Sequence, residues 1–289
     1  MTRVGTVAQI FRYPVKSMLG EQLDATALGQ DGIPGDRAWG VRDEARGDFF
    51  VGKRSAALMS CSAWYAADSD GDLVPQIRLP NGETFRANAT GAAERVAQVI
   101  GRDVTLWPVV PEARQARPRD GLSLADEMQD LMAREEGEPL PDFSNPPPEL
   151  LEIYARNGPF FDAFPLLLLT RRSLESLAQA APGVEMDVRR FRPNLLIEGE
   201  SEGETACTDL GSFPEQDWIG RRVQIGSAVL SIHSSCIRCV MTTHGFAQVP
   251  KDARVMRTLV REAAGNLGVY AIVDQPGEVG RGDRVTLLE

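Results

Sequence analysis

Short alternating or apolar runs, each stopped by a Gly or Pro, constrain this chain more than any other feature. Val4, Val7, Ile10 and Tyr13 mark an opening strand that stops at Pro14, and Glu21 to Leu28 is a second extended segment. The turn Gly32-Ile-Pro-Gly-Asp36 precedes a run, Arg37 to Arg42, that alternates like a strand. Ile77 to Leu79 and Thr84 to Arg86 flank the turn Pro80-Asn-Gly82, and Glu94 to Ile100 reads as a short helix ending at Gly101. These are short strands separated by frequent turns. They predict a small barrel or sandwich.

The middle changes character. Residues 111–148 are rich in Pro, Glu, Arg and Asp, with a single apolar stripe (Leu122, Leu124, Met128, Leu131, Met132) able to form a short helix. That composition predicts a connector or lid between domains. A second β-rich block follows. The continuous run Leu166 to Leu169 fits a buried strand, and Ser173 is placed to cap a helix that begins at Leu174. Arg192 to Ile197, Arg222 to Ile225, Ala228 to His233, Gly268 to Val273 and Arg284 to Leu288 read as further strands, with a helix over Arg254 to Ala264. The expected fold is mainly β with short helices, as two barrel-like domains at 1–110 and 149–289 joined by the connector 111–148.

Composition excludes several functions. Hydrophobic residues make up 43% and charged residues 25% of 289, the proportions of an ordinary soluble globular protein. A net charge of -10 argues against nonspecific binding to nucleic acid or to anionic membranes, yet it leaves room for a local basic pocket. No signal-peptide core and no membrane-length apolar run are present, and cysteines number four, so a reducing cytoplasm is expected.

Chemistry concentrates at Cys236-Ile-Arg-Cys239. Cysteine thiolates act as nucleophiles, redox groups or soft metal ligands, and the adjacent Arg238 is expected to favour the thiolate. Cys61 and Cys207 are more simply core or bystander residues. A Cys236–Cys239 disulfide lacks the βαβ setting usual for redox pairs. His233, Cys236, Cys239 and His244 offer a zinc set, although four ligands packed so closely in sequence strain to close a tetrahedron. Lys16, Arg37 and Arg192 stand at strand ends.

Taken in order, Tyr13-Pro-Val-Lys-Ser17, Gly35-Asp-Arg37, Phe191-Arg-Pro-Asn194, Glu215-Gln-Asp-Trp218, Cys236-Ile-Arg-Cys-Val-Met-Thr-Thr243 and Gly268-Val-Tyr270 resemble MOSC-domain proteins. These carry an N-terminal β-barrel domain ahead of the MOSC domain, and the chain is similar to the mitochondrial amidoxime reducing component and its bacterial relatives. The resemblance implies a molybdenum-pterin cofactor whose metal is bound by the catalytic Cys239. Lys16, Ser17, Arg37, Thr170, Arg192, Asn194, Arg238 and Tyr270 would hold the pterin and its phosphate, and Cys236 would tune the site. It further implies reduction of a small N-hydroxylated substrate. No cysteine cluster of ferredoxin spacing is present, so a separate electron-transfer protein is the expected donor. Asp209, Glu215 and Asp217 are candidate proton or substrate contacts, or else solvated surface carboxylates. Two other classes fit the same residues: a carrier holding a persulfide or sulfurated cofactor on Cys239, and a zinc-stabilised β protein.

Overall fold

A computed structural model describes residues 1–49, 52–66, 73–110, 124–155, 158–200 and 211–288. The chain opens with β1 (Thr2–Arg12), β2 (Glu21–Leu23) and β3 (Ala25–Leu28). Then come β4 (Trp39–Asp43), β5 (Asp48–Phe49), β6 (Ser62–Trp64), β7 (Gln76–Arg78), β8 (Thr84–Arg86), α1 (Ala92–Ile100) and β9 (Val104–Pro108). The connector carries α2 (Leu124–Leu131), and α3 (Pro148–Ala155) begins at its last residue. The last part holds β10 (Leu166–Thr170), α4 (Arg171–Ala180), β11 (Leu195–Gly199), β12 (Arg222–Ile225) and β13 (Ala228–Ile237). It ends with α5 (Arg254–Ala263), β14 (Asn266–Gln275), β15 (Gly277–Gly280) and β16 (Arg284–Leu288). Leu122, Cys207 and Asp209 lie outside the described residues.

Strands β11, β10, β14, β13, β12, β16 and β1 pair in that order, and β1 pairs back onto β11 to close a barrel. Every pairing is antiparallel except β10 with β11. Alternation explains the filling: Val285 and Leu287 of β16, Val223 and Ile225 of β12, and Leu195 and Ile197 of β11 all point into one buried core. In β10, Leu166 and Leu168 join that core, while Leu169 packs outward with Leu174 and Leu259 of α4 and α5. Both faces of β10 are covered, which is why its sequence reads as an unbroken apolar run. Gly5 sits where β1 meets β11, and a Cβ there would collide with the Glu198 carbonyl oxygen.

A separate lobe is built from two three-stranded sheets, β5-β4-β9 and β6-β7-β8, around Val41, Leu58, Ile77 and Val96. The sequence division assigns β1 to this N-terminal half; it pairs there with β2 over Ile10 to Arg12, and with β11 and β16 of the C-terminal barrel along its length. β3 likewise pairs with β15. Two local expectations are corrected. The helix after β10 starts at Arg171, not Leu174, because the Thr170 hydroxyl, not Ser173, accepts the Ser173 amide. Arg192 and Asn194 precede β11 instead of lying in it, and Arg192 takes a left-handed backbone with φ 53°. Among the described residues, no helix is long and apolar enough to cross a membrane.

Candidate functional site

Between lobe, barrel and connector lies a cavity of about 560 Å³. Cys239 opens onto it, as do Lys16, Ser17, Arg37, Arg192, Asn194, Arg238 and Tyr270. These residues reach one place from five separate stretches, because β1 leaves the barrel at Pro14 and runs into the lobe. There the Lys16 amide donates to the Trp39 carbonyl at 2.8 Å. Ser17, Arg37 and Arg192 all have positive φ (70°, 49° and 53°). For side chains with a Cβ this costs roughly 1–3 kcal/mol each, so surrounding contacts must hold them.

Buried Asp36 supplies many of those contacts. Its carboxylate accepts the Tyr13 amide at 2.7 Å and the Asn194 side-chain amide at 3.0 Å, and pairs with the Arg37 guanidinium. Asn194 Oδ1 in turn accepts from the Leu167 amide at 3.1 Å and from Arg37 at 3.3 Å. The guanidinium carbons of Arg37 and Arg192 lie 4.6 and 4.2 Å from the Tyr13 ring centroid. The aromatic face therefore attracts two cations that would otherwise repel each other. Burial, aided by Arg37, pushes Arg192 down to about 10. Tyr13 and Asp36 were not among the residues picked from the sequence as site residues, although both lie inside motifs noted there.

Lysines complete a positive floor. Lys16 Nζ donates to the Phe160 carbonyl at 2.8 Å and to Asp162 at 2.7 Å. Burial works to raise the Asp162 carboxyl, but Lys16 and Lys53 hold it well below the usual range. Lys53 also lines the cavity and draws the Cys239 thiol toward ionisation. Neither Lys53 nor Asp162 stands out in the sequence, since each is an ordinary charged residue in a loop.

The cysteine pair behaves differently from the expectation. Arg238 donates through Nη1 to the Cys236 sulfur at 2.7 Å and through Nη2 to the Phe191 carbonyl, so its charge is turned mainly to Cys236. Cys239 stands at the start of the short helical turn Val240–Thr243. Burial pushes its thiol up, and Lys53, the Met241 amide and Arg238 do not reverse this. A bound cation in place of the proton would remove that cost.

Thr170 lies outside the cavity. Its hydroxyl donates to Glu215 Oε2 at 2.6 Å, and the Ser173 hydroxyl donates to the same oxygen at 2.5 Å. Glu215 is no solvated surface carboxylate, for it is 0% exposed, whereas Asp217 is exposed. Glu215 Oε1 is buried with no hydrogen-bond partner among the described residues. Burial raises the Glu215 carboxyl above its unfolded value, more than the two hydroxyls lower it. The protonated form is thus favoured by the fold. Its stabilising contribution is complete below the unfolded pKa of about 4.3 and is lost as pH rises through the higher folded value. Glu215→Gln should remove this loss, so the variant gains stability relative to the parent as pH rises from 4 to 8. Paired urea titrations across that range check it, and a pH-independent difference would refute it.

The histidines do not assemble a metal site with the cysteines. His233 packs on the Phe164 ring at 4.3 Å, and the His244 ring donates to the Gly52 carbonyl at 2.9 Å. Among the described residues, no three His, Cys, Asp or Glu side chains gather in a metal-binding arrangement.

Residues 156–286 match the model of the MOSC domain, and residues 4–117 match that of the MOSC N-terminal beta barrel domain. The chain is 28% identical to mitochondrial amidoxime reducing component 2 of Bos taurus, over 84% of this chain and 67% of that protein. It is 25% identical to mitochondrial amidoxime-reducing component 1 of Mus musculus, over 100% of this chain and 84% of the relative. Among solved structures, the YUAD protein from Bacillus subtilis aligns with 99% of this chain and 97% of its own, at 12% identity and a TM-score of 0.44.

Proposed function

This chain being a MOSC-domain protein, with an N-terminal β-barrel domain ahead of the MOSC domain, we propose that it is a molybdenum-cofactor-dependent oxidoreductase of N-hydroxylated compounds. One observation carries the reading: a single cavity collects the Cys239 sulfur and the cations Lys16, Lys53, Arg37, Arg192 and Arg238 in a chain of net charge -10.

That donor set fits a pterin-bound molybdenum. A thiolate is the soft ligand such a metal takes, and guanidinium forks suit a phosphate anion. Arg238 Nε is buried without a hydrogen-bond partner among the described residues, leaving a donor for an anionic group. Cys239 would ligate the metal. Lys16, Ser17, Arg37, Arg192, Asn194, Arg238 and Tyr270 would hold the pterin and its phosphate, and Thr170, bonded to Glu215 outside the cavity, would not. When bound, the group supplies two-electron oxygen-atom chemistry.

The protein's own residues bind and orient. The cationic floor attracts the anion, Asp36 and Tyr13 keep the two arginines in register, and the aromatic side chains Phe160, Phe161 and Phe164 exclude water from the wall above. The net reaction turns N–OH into N–H and water, consuming two electrons and two protons. A separate electron-transfer protein provides the electrons, and relatives named amidoxime reducing components support this substrate class. A persulfide carrier needs an exposed, low-pKa sulfur. Cys239 is half-buried and its thiol is pushed up, which weighs against that role.

The test is metal analysis with pterin fluorescence on protein from a host that makes the cofactor, followed by reduction assays with a viologen donor. Near-stoichiometric molybdenum and turnover of a hydroxamic acid are expected. Absence of molybdenum, or a loaded protein inert toward every N–OH compound tried, overturns the reading.

A further inference from the structure

Residues 132–151 belong to neither matched domain, yet Met132, Phe143, Pro147, Leu150 and Leu151 line the cavity. This stretch is docked, not draped. Arg134 is 7% exposed and packs on Gly265, where a Cβ would collide with its guanidinium. Arg257 of α5 donates to the Ala133 carbonyl and pairs with Glu138 at 2.8 Å and Glu135 at 3.2 Å. At the other end, Glu149 lies 3.4 Å from His233 of β13. Both ends of the stretch are thereby tied to the barrel that carries Cys239.

Phe143, between these anchors, and Leu151, just beyond Glu149, remain 50% and 53% exposed and line the cavity. Large apolar side chains in that state gain from a ligand that covers them. Other apolar lining is packed in place: Phe160, Phe161 and Phe164 are buried, and the Phe164 ring sits 5.6 Å from that of Tyr270. The cavity thus joins cations beside Cys239 to an apolar lining, part of it buried and part of it exposed.

We propose that the stretch 132–151 is the specificity wall of this site, with Phe143 and Leu151 selecting N-hydroxylated substrates that carry a planar apolar body. The proposal rests on the reductase reading for the reacting N–OH end, and on the geometry of this stretch alone for the apolar end. The two matched domains supply the cofactor floor, and the segment between them sets which compounds reach it.

The test compares the cofactor-loaded full chain with its Phe143→Ala/Leu151→Ala variant, using benzohydroxamic and acetohydroxamic acids, which differ by phenyl against methyl. Loss of the apolar wall should lower kcat/KM for the phenyl compound about tenfold, chiefly through KM, and leave the methyl compound within about twofold. Phe143→Leu, which keeps apolar surface, should restore most of the difference. Equal losses for both compounds, or no loss for the phenyl one, overturn the proposal. Saturation-transfer NMR of benzohydroxamic acid without any electron donor separates this from a failure of the reductase reading. If the parent reduces neither compound, binding that weakens in the double variant still supports the wall, and binding that is absent or unchanged overturns it.

Discussion

Cys239→Ser is expected to purify folded and without turnover. The backbone around Cys239 is held by contacts that do not use its sulfur: its carbonyl accepts the Thr242 amide at 3.1 Å and the Thr242 hydroxyl at 3.0 Å. Serine keeps those bonds and nearly the same volume. It offers a hard, protonated oxygen where a soft anionic sulfur is required. Losing a partner of a metal ligand typically costs about 10–100-fold in activity, and losing the ligand itself should exceed about a hundredfold. Turnover per bound molybdenum measures the loss, with circular dichroism and Tm showing an unchanged fold. A serine variant as active as the parent would remove Cys239 from the site. The loss should be the same whichever N–OH compound is used.

Arg190→Ala is the substitution expected to cost most in stability. Arg190 is 1% exposed, and its guanidinium donates to the carbonyls of Glu185 at 2.8 Å, Thr242 at 3.2 Å, His244 at 2.9 Å and Pro250 at 2.6 Å. Two of these belong to the turn after Cys239, so one side chain staples that turn and the loop beyond it to the segment leading to Arg192. Truncation leaves several buried carbonyls without donors, at about 1–3 kcal/mol apiece, and opens a cavity as well. Removing a buried charge offsets part of this, which leaves a net loss on the order of 4 kcal/mol. In a chain of this size the Tm should drop by about 10 °C. Arg190→Lys should recover less than half, since an ammonium cannot span the same four acceptors. Denaturant titration decides the matter, and a loss under about 1 kcal/mol would show that water replaces the missing donors.

The legible and illegible parts of this protein divide along physical lines. β10, β12, β16 and α1 could be placed from the sequence within a residue or two, because their patterns report local periodicity. Lys16, Ser17, Arg37, Arg192, Asn194, Arg238, Cys239 and Tyr270 were grouped only through the family resemblance that their motifs carry; all of them line one cavity, and Thr170 falls outside it. β6, β9 and β15 went unread, being short and lacking clean alternation. So did α3, which begins at the last residue of the run Pro146-Pro147-Pro148 and shows only a weak apolar stripe.

By itself, the sequence determined the β-rich class, the apolar faces that must be buried, and the residue types that can hold a soft metal and an anion, for these depend on each residue and its near neighbours. Only the tertiary structure decided that β1 closes the C-terminal barrel, that Arg238 turns to Cys236, and that Glu215 is buried beneath Thr170. It also decided that the connector walls the cavity instead of merely linking two domains. Strand partners, burial and the direction of a charge are set by groups far away in the chain, and no local pattern encodes which of them arrive.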